Sequence, residues 1–220
     1  MKKKLIIFGI GEMSEVAYFY FSHDSLYEVH AFSVTSDKVG PEMFFGLPVV
    51  PFERIESRYS PQEYGMFIAI GYSGLNRIRK KFYEEAKQKG YCLASYISSK
   101  SVNWIGSNVG DNCFILENQT IQPFVTIGNN VVLWSGNHIG HHAKIGDHCF
   151  IASHVVISGG VVIEPYCFLG VNATIFDHVT IRENCIIGAG AMISKETEPD
   201  SVYVGPLAKR YPKKSSAVDL

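Results

Sequence analysis

The sequence predicts a small parallel α/β sheet over residues 1–98, a parallel β-helix over 99–198, and a tail over 199–220. Three observations carry this. From Val109 through Ile115 and Ile121 to Ile193, a branched aliphatic residue returns at every sixth position without a break. Four residues after each stands a second series, mostly small or β-branched: Cys113, Val125, Val131, Ala143, Cys149 and so on. Before residue 98, apolar runs alternate with helix-like stretches, the pattern of a parallel sheet with crossover helices.

The hexad dictates the β-helix. The second series lies two residues before the next aliphatic, so both sit on one face of a short strand and point inward. The remaining positions are Gly, Asn, Asp, Glu, His or Pro, which suit corners. Three hexads close one triangular coil of eighteen residues. The ninety residues from 109 to 198 make five coils, and stacking at about 4.8 Å gives a prism roughly 24 Å tall. Ile145, Ile163 and Ile181 fall in one inward column. Cys113, Val131, Cys149, Cys167 and Cys185 form another, which reads as small core residues in a reducing compartment rather than a metal or disulfide ladder.

In the N-terminal part, residues 4–8 form an apolar strand, Gly9-Ile10-Gly11 a turn, and Glu12–Ser22 a helix. Strands follow at Val29–Val34 and Met66–Ile70. A helix is expected over Leu75–Lys89 with Gly90 as its stop, then a strand over Tyr91–Ile97. The turn fits two places of the dinucleotide-binding glycine pattern, but Ser14 stands in the third. No acid ends the second strand, where Phe32, Ser33, Val34 and Thr35 stand, which argues against a nicotinamide dehydrogenase. Gly9 and Gly11 can still present backbone N–H groups to a phosphate or base. Asn76, Arg77, Arg79, Lys80 and Lys81 form either a diphosphate contact or a solvated helix face.

Formal net charge is −1, so no field invites nucleic acid or an anionic membrane. The run Leu5–Ile10 is too short for a signal core or a membrane span, and a cytoplasmic protein is expected. Five of eight histidines lie between 138 and 154, all placed by the hexad frame on the prism surface: His138, His141, His142, His148 and His154. They suit general-base chemistry, metal binding or plain solvated corners. Zinc-binding prisms of the γ-class carbonic anhydrase kind pair histidines five apart, a spacing absent among these five.

Several stretches carry a more specific resemblance: F-I-A-I-G at 67–71, R-K-K at 79–81, W-S-G-N-H-I-G-H-H at 134–142, C-F-L-G-V-N at 167–172, and Val204 to Arg210. With these the chain resembles the bacterial nucleotide-sugar N-acetyltransferases of the bacillosamine and perosamine type, with sialic-acid O-acetyltransferases as relatives. The resemblance implies a truncated Rossmann-like nucleotide-sugar-binding domain followed by a left-handed β-helix. It implies acetyl-CoA as co-substrate without a metal, a homotrimer, and N-acetylation of a nucleotide-linked amino-deoxy sugar for surface glycans such as O-antigen. His141 takes the place of the general base, and His142 stands where the family often has a carboxylate. Acetyl-CoA contacts carry over to Phe150, Gly170, Val171, Ala189 and Lys209. Substrate contacts carry over to Gly11, Glu12, Met13 and Gly71, with Gly9 and Asn76 added from the reading above. Val34 and Thr35 replace a family acidic pair, leaving UDP, dTDP and GDP forms open. The rival readings are a sugar O-acetyltransferase, a zinc lyase and a non-catalytic scaffold.

Overall fold

The computed structural model describes residues 2–40, 42–104, 107–207 and 212. The N-terminal part contains β1 (Lys3–Phe8), α1 (Glu12–His23), β2 (Tyr27–Val34), β3 (Met43–Phe44), β4 (Leu47–Pro51), β5 (Tyr64–Ile68) and α2 (Arg77–Gln88). The strand order is β3-β4-β2-β1-β5, parallel except for the β3–β4 hairpin. Central β1 is covered on both sides, which is why it reads as a continuous apolar run. Leu5 and Ile7 pack with Ala17 and Phe21 of α1. Ile6 and Phe8 face the other way, toward Tyr83 and Ala86 of α2.

Two features depart from expectation. The hairpin at 43–51 is an additional edge, turned by Phe45 and Gly46 in the left-handed region. The strand expected over Tyr91–Ile97 does not form as one piece. Leu93 makes a single bridge to Met66, whereas Tyr96–Ile97 pairs with Phe114–Ile115 as the first rung of the prism. Ser95 makes the transfer: its hydroxyl donates to the Gly110 carbonyl and accepts the Cys113 N–H.

The prism has three faces. The first begins at Tyr96–Ile97 with seven strands, the second at Val102–Asn103 with six, and the third at Asn108–Val109 with five. Partners stand eighteen residues apart, as in Thr120, His138, Val156 and Thr174. The prism therefore starts before Val109 and runs on to Val202–Tyr203, beyond the five coils counted from the repeat. Asn103 occupies an aliphatic place and hides the early rungs. Ile145, Ile163 and Ile181 are at most 2% exposed. The four cysteines of the inward column are free and fully buried, each thiol donating to a backbone carbonyl such as Gly128 O or Arg182 O.

Each corner places one residue per coil at positive φ. Asn112, Asn130, His148, Tyr166 and Asn184 mark the corner between third and first faces. Asn118, Gly136, His154, Asn172 and Gly190 mark first to second, and Phe124, His142, Gly160 and His178 second to third. Asn, Gly and His are the residues that tolerate this conformation best.

The outward positions of the first face are Tyr96, Phe114, Val132, Phe150 and Phe168, an apolar stripe that the N-terminal part covers. Tyr20 and Phe21 of α1 meet Phe114 there, and Asp24 accepts bonds from the Tyr96 hydroxyl and Ser99 N–H. Helix α2 lies along the third-to-first corner. Tyr83 and Lys87 reach Asp111, Arg79 reaches Asn130, and Arg77 reaches Asn184.

Candidate active site

Two adjoining hollows open where the sheet's C-terminal strand ends meet the prism. The larger, about 570 Å³, is lined by Gly9, Gly11, Glu12, Met13, Val34, Thr35, Lys38 and Gly71 among others. The smaller, about 250 Å³ and mostly apolar, lies between Glu12, Met13, Val16, Gly71, Tyr72, Trp134 and Phe150. Ligands bind parallel α/β sheets at this end of the strands. The structure thus brings together Gly9, Gly11, Glu12, Met13 and Gly71.

The glycines divide by physical cause. Gly9 has φ +123°, and a Cβ there would fall 2.4 Å from Ser14 Oγ and 2.9 Å from the Ala69 carbonyl. Its identity is set by the fold. Gly11 and Gly71 have ordinary φ, and nothing lies within 4 Å of a Cβ added to either. No protein atom requires glycine at these two places, so the backbone there is open to the hollows. No side chain caps α1 at Gly11, leaving first-turn N–H groups beside the larger hollow.

Asn76 is fully buried at the start of α2 with φ 64°, and its side-chain amide has no partner among the described residues. Arg79 lies neither on a solvated face nor in the hollows: it is 1% exposed. The face of α2 that carries it is pressed on the prism corner, which periodicity in α2 alone does not reveal.

The five clustered histidines separate in the same way. His142, His148 and His154 occupy the left-handed corner position, so the backbone itself accounts for their residue type. His138 is an outward strand residue. His141 does not adopt the left-handed conformation. Its N–H donates to Gln122 Oε1 at 2.8 Å, and the edge of its ring bearing Nε2 lies over Gly159. Its Nδ1 stands 3.2 Å from Nδ1 of His142, which in turn packs on Phe124. Both imidazoles are exposed, on the corner between second and third faces that the N-terminal part leaves open. Within one chain they do not line the hollows.

His148 corrects the expectation that all five histidines lie at the surface. It is 7% exposed, beneath Tyr83 of α2, with Nδ1 3.0 Å from the Asn130 side-chain nitrogen. Burial pushes its pKa down to about 4. Below about 6.5 the unfolded chain takes up a proton that the folded chain refuses, so stability falls with pH until about 4. A His148→Asn variant, which fits the left-handed corner, is expected to flatten this loss. Urea unfolding at pH 7, 6 and 5 measures it, and parallel curves for both proteins would refute it.

Of the expected acetyl-CoA contacts, Gly170, Val171 and Ala189 share the first-to-second corner. A Cβ on Gly170 would fall 2.6 Å from Ala189 N, and Val171 is 44% exposed. Phe150 stands apart, buried under the N-terminal part, with Tyr72 4.9 Å and Phe168 5.6 Å away between ring centres. Lys209 lies outside the described residues. Among the described residues, no three His, Cys, Asp or Glu side chains gather as a metal site, and no helix is long and apolar enough to cross a membrane. Tyr72, Trp134 and Phe168 were not singled out as site residues from sequence. For Phe168 the available signal was the outward aromatic column at eighteen-residue spacing, which includes neither Tyr72 nor Trp134.

Comparison with known proteins finds the same repeat and the same fold. The family model for the bacterial transferase hexapeptide (six repeats) matches residues 106–141, 124–159 and 160–195. These matched stretches fall within the prism and coincide with its six-residue repeat. The chain is similar to PerB from Caulobacter crescentus, solved with CoA and GDP-perosamine, with TM-score 0.79 and 25% identity over 92% of this chain and 94% of that one. It also superposes on the acetyltransferase domain of PglB from Neisseria gonorrhoeae, with TM-score 0.81 and 20% identity over 93% and 97%. For WeeI from Acinetobacter baumannii the values are 0.67 and 19%, over 90% and 94%. The fold, an α/β domain followed by a left-handed parallel β-helix, is common to all of them. No curated protein sequence matches the chain.

Proposed function

We propose that the protein is an acetyl-CoA-dependent N-acetyltransferase acting on a nucleotide-linked amino-deoxy sugar in bacterial surface glycan biosynthesis. The observation that carries this is the pair Gly11 and Gly71, bare of protein contacts beside hollows at the strand ends. PerB, which shares the fold over 92% of this chain, was solved with CoA and GDP-perosamine. The α/β part holds the nucleotide-sugar, and the prism, which runs from Tyr96 to Tyr203 rather than over 99–198 alone, carries acyl transfer ahead of the tail. Gly9, Gly11, Glu12, Met13 and Gly71 form the nucleotide-sugar site, with Asn76 behind it. Gly170, Val171, Ala189 and Lys209 contact acetyl-CoA, with Phe150 on the sugar side.

The sugar amine attacks the thioester carbonyl. A C–N bond forms, the C–S bond breaks, and CoA leaves as the thiolate. His141 Nε2 takes the amine's proton and returns it to that sulfur. The Nδ1 contact fits His142 as the orienting acceptor, which leaves Nε2 of His141 as the base. Backbone N–H groups at a coil corner hold the oxyanion.

His141 and the hollows lie on different sides of one chain, so the site needs a second copy. We assign a homotrimer in which His141 of one subunit faces the sugar site of the next. The second face and its edges carry exposed apolar residues for such an interface: Val156, Met192, Phe124 and Phe176. Light scattering at micromolar concentration should give three times the chain mass, and a monomer would refute the arrangement.

The nucleotide site is tested by thermal shift with UDP, dTDP and GDP. A ligand at 100 times its Kd stabilises the native state by about 2.7 kcal/mol. Gly71→Val should keep the unliganded Tm and lose the shift, because the new side chain meets ligand rather than protein. An undiminished shift in the variant would exclude this site. Amine acceptance against hydroxyl acceptance, measured with paired amino and hydroxy sugars, separates N- from O-acetylation.

A further inference from the structure

Arg79 is the largest of the fully buried side chains. Its side chain makes four hydrogen bonds, all to neutral acceptors. Nε donates to Asn130 Oδ1 at 3.0 Å, Nη2 to the carbonyls of Asn130 at 2.8 Å and Cys149 at 3.3 Å, and Nη1 to Ile70 O at 3.4 Å. Among the described residues no carboxylate pairs with it, whereas Lys87 and Arg182 each have an acidic partner. Burial lowers its pKa to about 10, so the guanidinium is charged at neutral pH. A buried charge is ordinarily paired, because isolation from water is costly.

The position of this cation gives it a use. Ile70, whose carbonyl it touches, and the next residue, Gly71, both line the larger hollow. Phe150, 6.0 Å from the guanidinium carbon, lines the smaller one. The guanidinium therefore sits behind Ile70 of the larger hollow and beside Phe150 of the smaller, buried where the charge is little screened by solvent. We propose that Arg79 is a positioning residue for an anionic substrate: the diphosphate of the bound nucleotide-sugar is its counter-ion, acting across the wall formed by Ile70, Gly71 and Phe150. This rests on the nucleotide-sugar reading of the hollows and adds a source of affinity for the charged part of that substrate.

A purely structural role would weaken every ligand alike, whereas a charge role scales with ligand charge. The test is calorimetric binding of UDP, dTDP and GDP and of their monophosphates to the wild-type protein and two variants. Arg79→Met removes the cation. Asn130→Asp keeps it but places a carboxylate against it, and the new side chain still accepts from Arg79 Nε and Asn112 Nδ2. That near-isosteric change carries the test if Arg79→Met does not fold. Each variant should weaken diphosphate binding about tenfold and monophosphate binding less, so the ratio of the two affinities falls. Added salt should change that ratio little, since the cation is shielded from solvent. An unchanged ratio in Asn130→Asp would overturn the role of Arg79 while leaving the nucleotide site standing. Wild-type protein that binds none of the six nucleotides would instead overturn the nucleotide site itself.

Discussion

Replacing His141 by asparagine is expected to lower kcat by about 10²–10⁴-fold, the usual contribution of a positioned general base, with acetyl-CoA affinity nearly unchanged. Asparagine keeps a polar group of similar reach but cannot accept the amine's proton. His142→Asn should cost less, because His142 meets only the far ring nitrogen of its neighbour and its left-handed corner suits asparagine. Gly159→Ala offers an independent handle. The added Cβ would fall 2.7 Å from the His141 ring, so the imidazole must swing away, and kcat should drop while thermal stability barely moves. His154→Asn, at an exposed corner, should be neutral in both respects. Steady-state kinetics with one accepted amino sugar, and calorimetry with acetyl-CoA, decide the matter. Near wild-type turnover in His141→Asn, or complete loss in His142→Asn alone, would move the base elsewhere.

Ile163→Ala is expected to destabilise the protein by about 2–5 kcal/mol, read from urea unfolding at pH 7.5. Ile163 is 1% exposed and sits between Ile145 and Ile181 in adjacent rungs. Truncation leaves a cavity that neighbouring coils cannot close, because strand pairing fixes their spacing. A repeat prism passes stability between nearest neighbours, so a mid-stack gap affects both sides. Val162→Ala, at the outward position one residue earlier, should cost much less. Equal effects at 162 and 163 would mean that the inward frame is misassigned.

The prism was legible because one number, the six-residue period, fixes which side chains point inward, and the structure buries those residues as expected. Its first rungs were not, because Asn103 interrupts the aliphatic series and Ile97 follows a strand-like run that reads as part of the N-terminal sheet. The α/β elements were legible from apolar runs and turn glycines. The β3–β4 hairpin is short, with a two-residue first strand, and leaves little periodic trace. For the candidate site, the sequence could name Gly9, Gly11 and Gly71 together but not their different causes. Gly9 is fixed by Ser14 and Ala69, while Gly11 and Gly71 open on space.

The sequence alone determined the coil, its inward columns, its corner chemistry and the order of the two parts. All of these follow from local periodicity and from the few residue types that adopt a left-handed corner. Only the tertiary structure decided which prism face is covered. Its docking under α1 and α2 buries Arg79 and His148, gathers Phe150 with Tyr72 and Trp134, and leaves His141 and His142 on an open corner. Burial at such a junction depends on contacts between residues up to 107 positions apart in the chain, as for Arg77 and Asn184. No pattern read along one strand or one helix carries that information.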